Sequence, residues 1–583
     1  MIQGKILRIT ICSIFLLTLL QVALMPLVVA QIDTRREDQL LKTALEYVEK
    51  NRKGTVQVRF IDEMTGNRIS DSEVQYRQTS HDFMFGSFLI YDPDKARQLG
   101  LEWSGNVELS WAEMEPTLGV YDFSRTDDTI RWLKQNERAH IFARFSGLFL
   151  DWNYIRSPRP PAYADFDHIG DSAVFARYLQ LVHEFAFNVA SHYRGAISAY
   201  ITQWEINWPG HAVFVSGLSE RPAWTIQQAV ELDDVVSKAI RSADPNATIM
   251  LGTSSPWKGP SEDDVDPFQF TELCLRAGVD VDAIAFEFYP SEGSPASFYD
   301  CVKKLGGLGK PVFIEETGYA SMRPDADESW VKSWKWHVFD EHVQALWIKY
   351  TFAFAFGMRE AAGISILSIR DNESTMPYHR WTDSFGLYTV NWQPKESAKM
   401  LRELMANFTT SGTARTDASG AVVIRGFAGN YTVHVSGYES VTVHVPEGIT
   451  EDLTVSLVRE KTSEYNDAAK AVESARLALS ALRLRDLKTA EAENLTEAAS
   501  AEYDLAVTSL ERWELDAAQT HSACSQQLAN QALQVETLYQ QQQDYLKLSA
   551  VLATIGVIVA VMVVSLVRSR AAQRPRKEDA LSS

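Results

Sequence analysis

Two short apolar runs in this chain each end in a carboxylate. Residues 195–209, GAISAYITQWEINWP, read as a strand that delivers Glu205 near its end. Roughly a hundred residues later, residues 310–319, KPVFIEETGY, run Val312, Phe313 and Ile314 into Glu315 and Glu316. An acid at the end of a buried strand is costly unless it has a partner or chemical work. Two such acids brought face to face suit glycoside hydrolysis with retention. An ionised carboxylate attacks the anomeric carbon while a protonated carboxyl gives its proton to the leaving oxygen, then acts as base for water. At ~5–5.5 Å the two groups repel, so one pKa rises and the roles separate. The alternative for Glu205 is a buried acid paired with an arginine.

This chemistry requires distant strands that end on one rim. From residue 81 the pattern alternates strand and helix. Strands are expected at 81–88, 106–111, 141–147, 197–205, 248–253, 283–289, 311–317 and 363–369, with helices at 127–136, 173–193, 226–243, 268–277 and 330–356 among the intervening stretches. Eight strands alternating with helices over about 320 residues predict an α/β fold of the (β/α)8 TIM-barrel type, with its chemistry at the C-terminal rim. A doubly wound sheet is the rival, but no Gly-rich phosphate turn follows the first strand.

The 583 residues are enough for several units, and 45% hydrophobic content supplies a core. A net charge of −20 argues against a nucleic-acid partner. Residues 1–30 read as a signal peptide: Lys5 and Arg8, an apolar run, then Val28-Val29-Ala30. An uncleaved anchor is the alternative. Residues 31–80 read as a helix and a small β unit, a hairpin around Met64-Thr65-Gly66-Asn67 leaning on the barrel. The barrel occupies 81–407. Residues 408–460, rich in Thr, Val and Gly, alternate as a small β-sandwich, either a spacer or a carbohydrate-binding module. Residues 461–547 contain no Gly and no Pro and predict a helical stalk, a hairpin or coiled coil with Leu477, Leu479, Leu482, Leu484, Leu505, Leu510 and Leu515 at its contacts. Copies could associate through it. Residues 548–567 are apolar and uncharged, long enough at ~1.5 Å per residue to cross a ~30 Å hydrocarbon core. The tail 568–583 carries Arg568, Arg570, Arg574, Arg576 and Lys577. The positive-inside rule makes it cytoplasmic and predicts a single-pass protein of the cell membrane, its large N-terminal region extracellular. Asn-x-Ser/Thr sites at Asn246, Asn372, Asn407, Asn430 and Asn494 are compatible with that side. Cys274 and Cys301, on neighbouring expected helices, could form a disulfide.

Residues 53–407 resemble glycoside hydrolase family 10, the endo-β-1,4-xylanases of the large clan of (β/α)8 retaining enzymes. His81-Asp82-Phe83-Met84-Phe85-Gly86 is similar to the family's first strand. Glu108-Leu109-Ser110-Trp111, with Met114-Glu115-Pro116 and Gly119-Val120-Tyr121-Asp122-Phe123, resembles its second strand and following loop. Leu150-Asp151-Trp152 follows the third strand, Tyr193-Arg194-Gly195 precedes the fourth and Ala243-Asp244-Pro245-Asn246-Ala247 the fifth. Gly386-Leu387 and Gln393-Pro394-Lys395 resemble the barrel's end.

Counted without gaps, the resemblance puts the acid/base on Glu205 and the nucleophile on Glu316. A register with one deletion would put Trp208 in the acid's place, and Glu315 is the alternative nucleophile. The resemblance implies a β-linked polysaccharide or oligosaccharide, xylan by default, and no cofactor or metal. The sequence departs from the family around the bound sugar: Ser110 replaces a Lys, Phe145-Ser146 a Trp-His pair, Trp204 an Asn, and Glu287 and Tyr289 a Gln and a His. Ser146, Trp204, Asn207, Glu287 and Tyr289 are therefore substrate-binding candidates. Glu287 could orient Glu316 or raise its pKa. Glu108 is another inward candidate, with Arg144 as its structural partner, and Trp111, Trp152, Trp208 and Trp381 are candidate sugar platforms. The rival function is a catalytically decayed barrel serving as a membrane-anchored glycan-binding or envelope protein.

Overall fold

A computed structural model describes residues 32–88, 92–136, 140–148, 160–208, 225–254, 256, 264–291, 293–323, 336, 338–373 and 382–572. The expected leader, most of the basic tail, and the candidates Trp152 and Trp381 lie outside the described residues. The chain divides into two compact units.

The first unit opens with helix α1 (Arg35–Asn51) and strands β1 (Lys53–Asp62) and β2 (Glu73–Gln78). The barrel strands follow: β3 (Met84–Ser87), β4 (Trp103–Ser110), β5 (His140–Ser146), β6 (Ala199–Ile201), β7 (Thr248–Gly252), β8 (Ala283–Phe288), β9 (Val312–Thr317) and β10 (Ala361–Ile366). They pair in parallel in chain order, and β10 closes on β3 through Gly363 opposite Met84. The fold is a (β/α)8 TIM barrel. Between the strands run α2 (Pro93–Gln98), α3 (Trp111–Met114), α4 (Ser124–Gln135), α5 (Ser172–His192), α6 (Ile226–Ala243), α7 (Pro267–Ala277), α8 (Pro295–Gly306) and α9 (Glu341–Phe356), and α10 (Glu396–Asn407) comes after the last.

Strand alternation separates the two faces. Phe142 of β5 and Phe313 of β9 meet edge-on at 5.1 Å although their strands are not neighbours, so these rings fill the lumen. Phe288 of β8 faces the other way, against Phe298 of α8 and Trp347 of α9. By the same parity Arg144, Ser146 and Glu287 turn inward, and a register shift in β9 between Ile314 and Glu316 breaks the alternation there, so that Glu316 faces the same way as its partner Glu287. The fourth barrel strand is shorter than the expected 197–205 and stops at Ile201. Beyond it the backbone swings against Gly252, where a Cβ would lie 1.6 Å from the Gln203 carbonyl oxygen. Glu205 is consequently presented by a turn rather than by the strand.

Helix α9 is buried on nearly every face because α1 covers its outer side. Tyr350 donates its hydroxyl to Asp38 at 2.7 Å, and a Cβ at Gly357 would meet the Cβ of Ala44 at 2.4 Å. Of the expected helix 330–356, residues 330–335 and 337 lie outside the described residues, and the described helix begins at Glu341, capped by the Asp340 side chain, which accepts from the Val343 amide.

After the barrel come β11 (Ser411–Arg415), β12 (Ala421–Phe427), β13 (Gly429–Val435), β14 (Val441–Val445) and β15 (Thr450–Leu457). They form two sheets, ordered β12-β1-β15 and β11-β2-β13-β14. The expected β1–β2 hairpin is therefore corrected: the two strands do not pair with each other, and each inserts into a sheet with strands more than 300 residues later. Arg52 ties this layer to the barrel. Its Nε donates to the Phe356 carbonyl at 2.8 Å, Nη2 to those of Met358 and Ala361 at 2.6 and 3.0 Å, and Nη1 meets Glu447 at 3.1 Å.

The second unit holds α11 (Ser463–Arg483), α12 (Ala490–Glu511) and α13 (Leu515–Ala572). They pack as three helices on a core dominated by alanine, with Ala468, Ala499, Ala506, Ala518 and Ala532 fully buried. Of the leucines expected at the contacts, Leu479 and Leu482 are buried and Leu510 and Leu515 pack against the core, while Leu477, Leu484 and Leu505 are exposed. Helix α13 continues unbroken through 548–567 and is long and apolar enough to cross a membrane. Cys274 and Cys301 are not joined in a disulfide.

Candidate active site

Strand β9 ends in the buried acids Glu315 and Glu316, and Glu287 of β8 is the register partner of Glu316. Tyr289, two residues beyond Glu287, donates its hydroxyl to Glu316 Oε2. Arg144 of β5 places Nη1 3.5 Å from Glu316 Oε1. The Arg144 guanidinium also lies over the Trp204 indole at 4.2 Å and over the Phe88 ring at 5.0 Å. Trp204 in turn donates its indole N–H to Glu287 Oε1 at 2.6 Å. A continuous polar chain thus links the turn after β6 to the ends of β8 and β9.

Glu205, next to Trp204, is 7% exposed and holds φ at +47°. A non-glycine residue in the left-handed region is strained by roughly 1–3 kcal/mol, and such strain gathers where a side chain must be aimed. The turn is closed by the Trp208 amide donating to the Glu205 carbonyl at 3.1 Å.

Burial dominates the electrostatics. It pushes Glu287 well above the usual carboxylate range, and the charges of Glu316, Glu205 and Glu315 push further, opposed by the Trp204 hydrogen bond. Burial and then Glu316 take Glu315 up to about 8 against the pull of Arg144. Glu316 is raised by burial, opposed by Arg144 and by the Tyr289 hydrogen bond. Tyr289 is also pushed up, by burial and by Glu316, Glu287 and Glu205. The same two groups, Glu287 and Tyr289, therefore feel both Glu205 and Glu316.

Of the sequence candidates, the structure gathers Glu205, Glu316, Trp204, Glu287 and Tyr289 into this cluster. Ser146 is buried near the end of β5 with its hydroxyl unpartnered among the described residues. Half-buried Glu108 is the register neighbour of Arg144, and Trp208 is buried in the turn after β6. Two candidates are corrected. Trp111 lies in the core outside the barrel, against Tyr178 and Phe185, with its indole donating to Glu115 Oε2 at 3.0 Å. Asn207 is consumed by structure: Nδ2 donates to Ser254 Oγ at 2.8 Å and the Val265 carbonyl at 2.9 Å, while Oδ1 accepts from the Ser254 amide at 2.8 Å. Sequence reasoning named Arg144 only as a structural partner of Glu108 and Glu315 only as the alternative nucleophile. The signal that places Arg144 in the site is parity, since it stands two residues beyond the lumen ring of Phe142. Among the described residues no group of three or more His, Cys, Asp or Glu side chains is arranged to hold a metal ion.

No protein-family model matches the chain. The anti-sigma-I factor RsgI6 of Acetivibrio thermocellus is 22% identical over 411 residues, 68% of this chain and 47% of the relative. The chain thus spans about half the length of the curated relative it matches. Among solved structures, xylanase 10B of Thermotoga maritima is similar at 15% identity and TM-score 0.40, over 56% of this chain and 95% of that one. Xylanase B of Clostridium stercorarium F9 gives 17% and 0.40, over 55% and 96%. A GH5_18 protein of Bifidobacterium longum gives 14% and 0.41, over 56% and 79%.

Proposed function

We propose that the barrel is a retaining β-glycoside hydrolase anchored in the cell membrane by the apolar part of α13, with Glu316 as nucleophile and Glu205 as acid/base. One observation supports this most: carboxyls from the turn after β6 and from β9 both bear on the same Glu287 and Tyr289 at one rim. Glu316 attacks the anomeric carbon, the bond to the leaving oxygen breaks, and Glu205 supplies that oxygen's proton. Glu205 then takes a proton from water, which attacks the same carbon and frees Glu316. Tyr289 and Arg144 pull the Glu316 pKa down against the rise that burial causes. Carboxyls and water suffice for this double displacement. The substrate is a β-linked polysaccharide or oligosaccharide approaching from the extracellular side. The test is a panel of β-glycans and aryl β-glycosides given to the full chain in detergent, with product anomers read by proton NMR. Release of the β anomer supports the reading, and release of the α anomer overturns it.

A second reading has its own support. The burial that raises Glu316 weakens it as a nucleophile, which suits a barrel that binds a glycan without cutting it. The name of the curated relative, an anti-sigma factor, fits a signalling role for such a membrane-anchored receptor. Saturable glycan binding without turnover in the same panel selects it.

A further inference from the structure

The upper lumen of the barrel holds more acid than base. Glu287, Glu315 and Glu316 are each at most 4% exposed and Glu205 is 7% exposed, while Arg144 is the basic side chain that reaches the cluster among the described residues. The fully buried Glu315 carboxyl meets no amide or hydroxyl donor among the described residues, and the hydrogen bond that lowers its pKa is with the Glu287 carboxyl.

A separate set of groups points into the same space. The hydroxyls of Ser110, Ser146 and Ser365 are buried and unpartnered among the described residues. Ser146 shares the inward parity of Arg144, and Ser110 is its register partner on β4. Ser365 shares the parity of Gly363, where a Cβ would meet the lumen ring of Phe313 at 2.7 Å. Buried polar groups left without partners are costly, and an occupant that satisfies them is favoured. Carboxylates offer only acceptors. A neutral sugar hydroxyl brings one donor and no charge, a carboxylated sugar brings repulsion, and an ammonium brings three donors and the compensating charge.

We propose that the sugar seated against Glu316 carries a primary amine, so that the substrate class is a β-linked glycan of unacetylated hexosamine, its ammonium held by Glu287 and Glu315. This rests on the hydrolase reading and narrows it. Arrival of the ammonium favours ionised carboxylates over the protonated forms that burial favours in the empty site, so binding expels protons. An N-acetylated sugar carries no such charge and expels none.

The test compares 4-nitrophenyl β-glucosaminide, β-glucoside, β-xyloside and N-acetyl-β-glucosaminide on the full chain in detergent at about pH 6, where the amine is charged and an ordinary carboxylate ionised. The expected result is a kcat/KM for the glucosaminide at least about tenfold above the others, shrinking to less than about threefold in Glu287→Gln. Equal or faster cleavage of the glucoside or xyloside overturns the inference while leaving the hydrolase standing. If no glycoside is cleaved, the hydrolase reading fails and calorimetry decides the amine separately. A hexamer of β-1,4-glucosamine is titrated into the full chain in two buffers of different ionisation enthalpy, alongside its N-acetylated counterpart. Proton release with the amine form alone supports the inference. Equal binding of the two, or no binding of the amine form, overturns it.

Discussion

The indole of Trp204 donates to Glu287 Oε1 at 2.6 Å, which ties the neighbour of Glu205 to the register partner of Glu316. Two segments 83 residues apart are thereby fixed relative to each other at the rim. Trp204→Phe keeps most of the ring and deletes the donor. A buried acceptor left unsatisfied costs about 1–3 kcal/mol. The variant should lose about that much stability in a denaturant titration, and kcat/KM on an aryl glycoside should fall by about tenfold to a hundredfold as the Glu205 turn loosens. Unchanged kinetics would detach Trp204 from the site.

On the proposed mechanism, Tyr289 together with Arg144 should set the acid limb of the pH profile. Its hydrogen bond lowers the pKa of Glu316, which burial raises. Tyr289→Phe removes the lowering, so Glu316 binds its proton more tightly and the ionised nucleophile is lost at higher pH. Because ~1.4 kcal/mol corresponds to one unit, the acid limb of kcat/KM should move up by about one unit. A shift downward, or none, would contradict the role.

Asp233 of α6 is wholly buried, and burial pushes it up to about 8 despite the lowering by a hydrogen bond from the Thr202 side chain. The folded state keeps this proton while an unfolded chain loses it near the ordinary value of 3.8. The stability contribution is full below that value and is lost as pH rises toward 8, at up to ~1.4 kcal/mol per unit. Asp233→Asn should flatten the alkaline fall of Tm between those limits. A Tm profile unchanged by the substitution would show that Asp233 titrates normally.

How much of this was legible beforehand differs by level. The eight strands were readable because parallel barrel strands are apolar on both faces, as in AIAFEF and VFIEET. Glu316 stood out because an acid interrupts such a run, and Glu205 because it follows one, although the strand itself stops at Ile201. The pairing of β1 with β12 was not: alternation shows that a strand has a buried face but not which distant strand covers it. Trp111 failed because aromatic identity does not reveal the face, and Asn207 because its partners Ser254 and Val265 come from a later loop. Leu479 and Leu482 of the stalk are buried as expected, whereas Leu477, Leu484 and Leu505 misled, because helices packed closely through alanine leave some larger neighbours outside.

The apolar end of α13 gives a prediction independent of the sugar chemistry. Every residue from Leu548 to Val567 is exposed, including Ile558, Val559 and Val563. Arg near the centre of a spanning helix costs ~2.5–3.5 kcal/mol on an insertion scale. Wild type should resist alkaline carbonate extraction from membranes, while the double variant Val559→Arg, Val563→Arg should appear in the soluble fraction. Extraction of the wild type would remove the anchor.

The account stands most directly on a leaving-group comparison in Glu205→Ala and Glu316→Ala. An acid donor matters for a poor leaving group and little for a good one, whereas a nucleophile matters for both. The measurement is kcat/KM on dinitrophenyl and methylphenyl β-glycosides of the best sugar found. The account predicts that Glu205→Ala retains the dinitrophenyl reaction within about tenfold and loses the methylphenyl reaction by at least about a thousandfold, while Glu316→Ala loses both. Equal loss of the two substrates in Glu205→Ala, or activity surviving in Glu316→Ala, would contradict it.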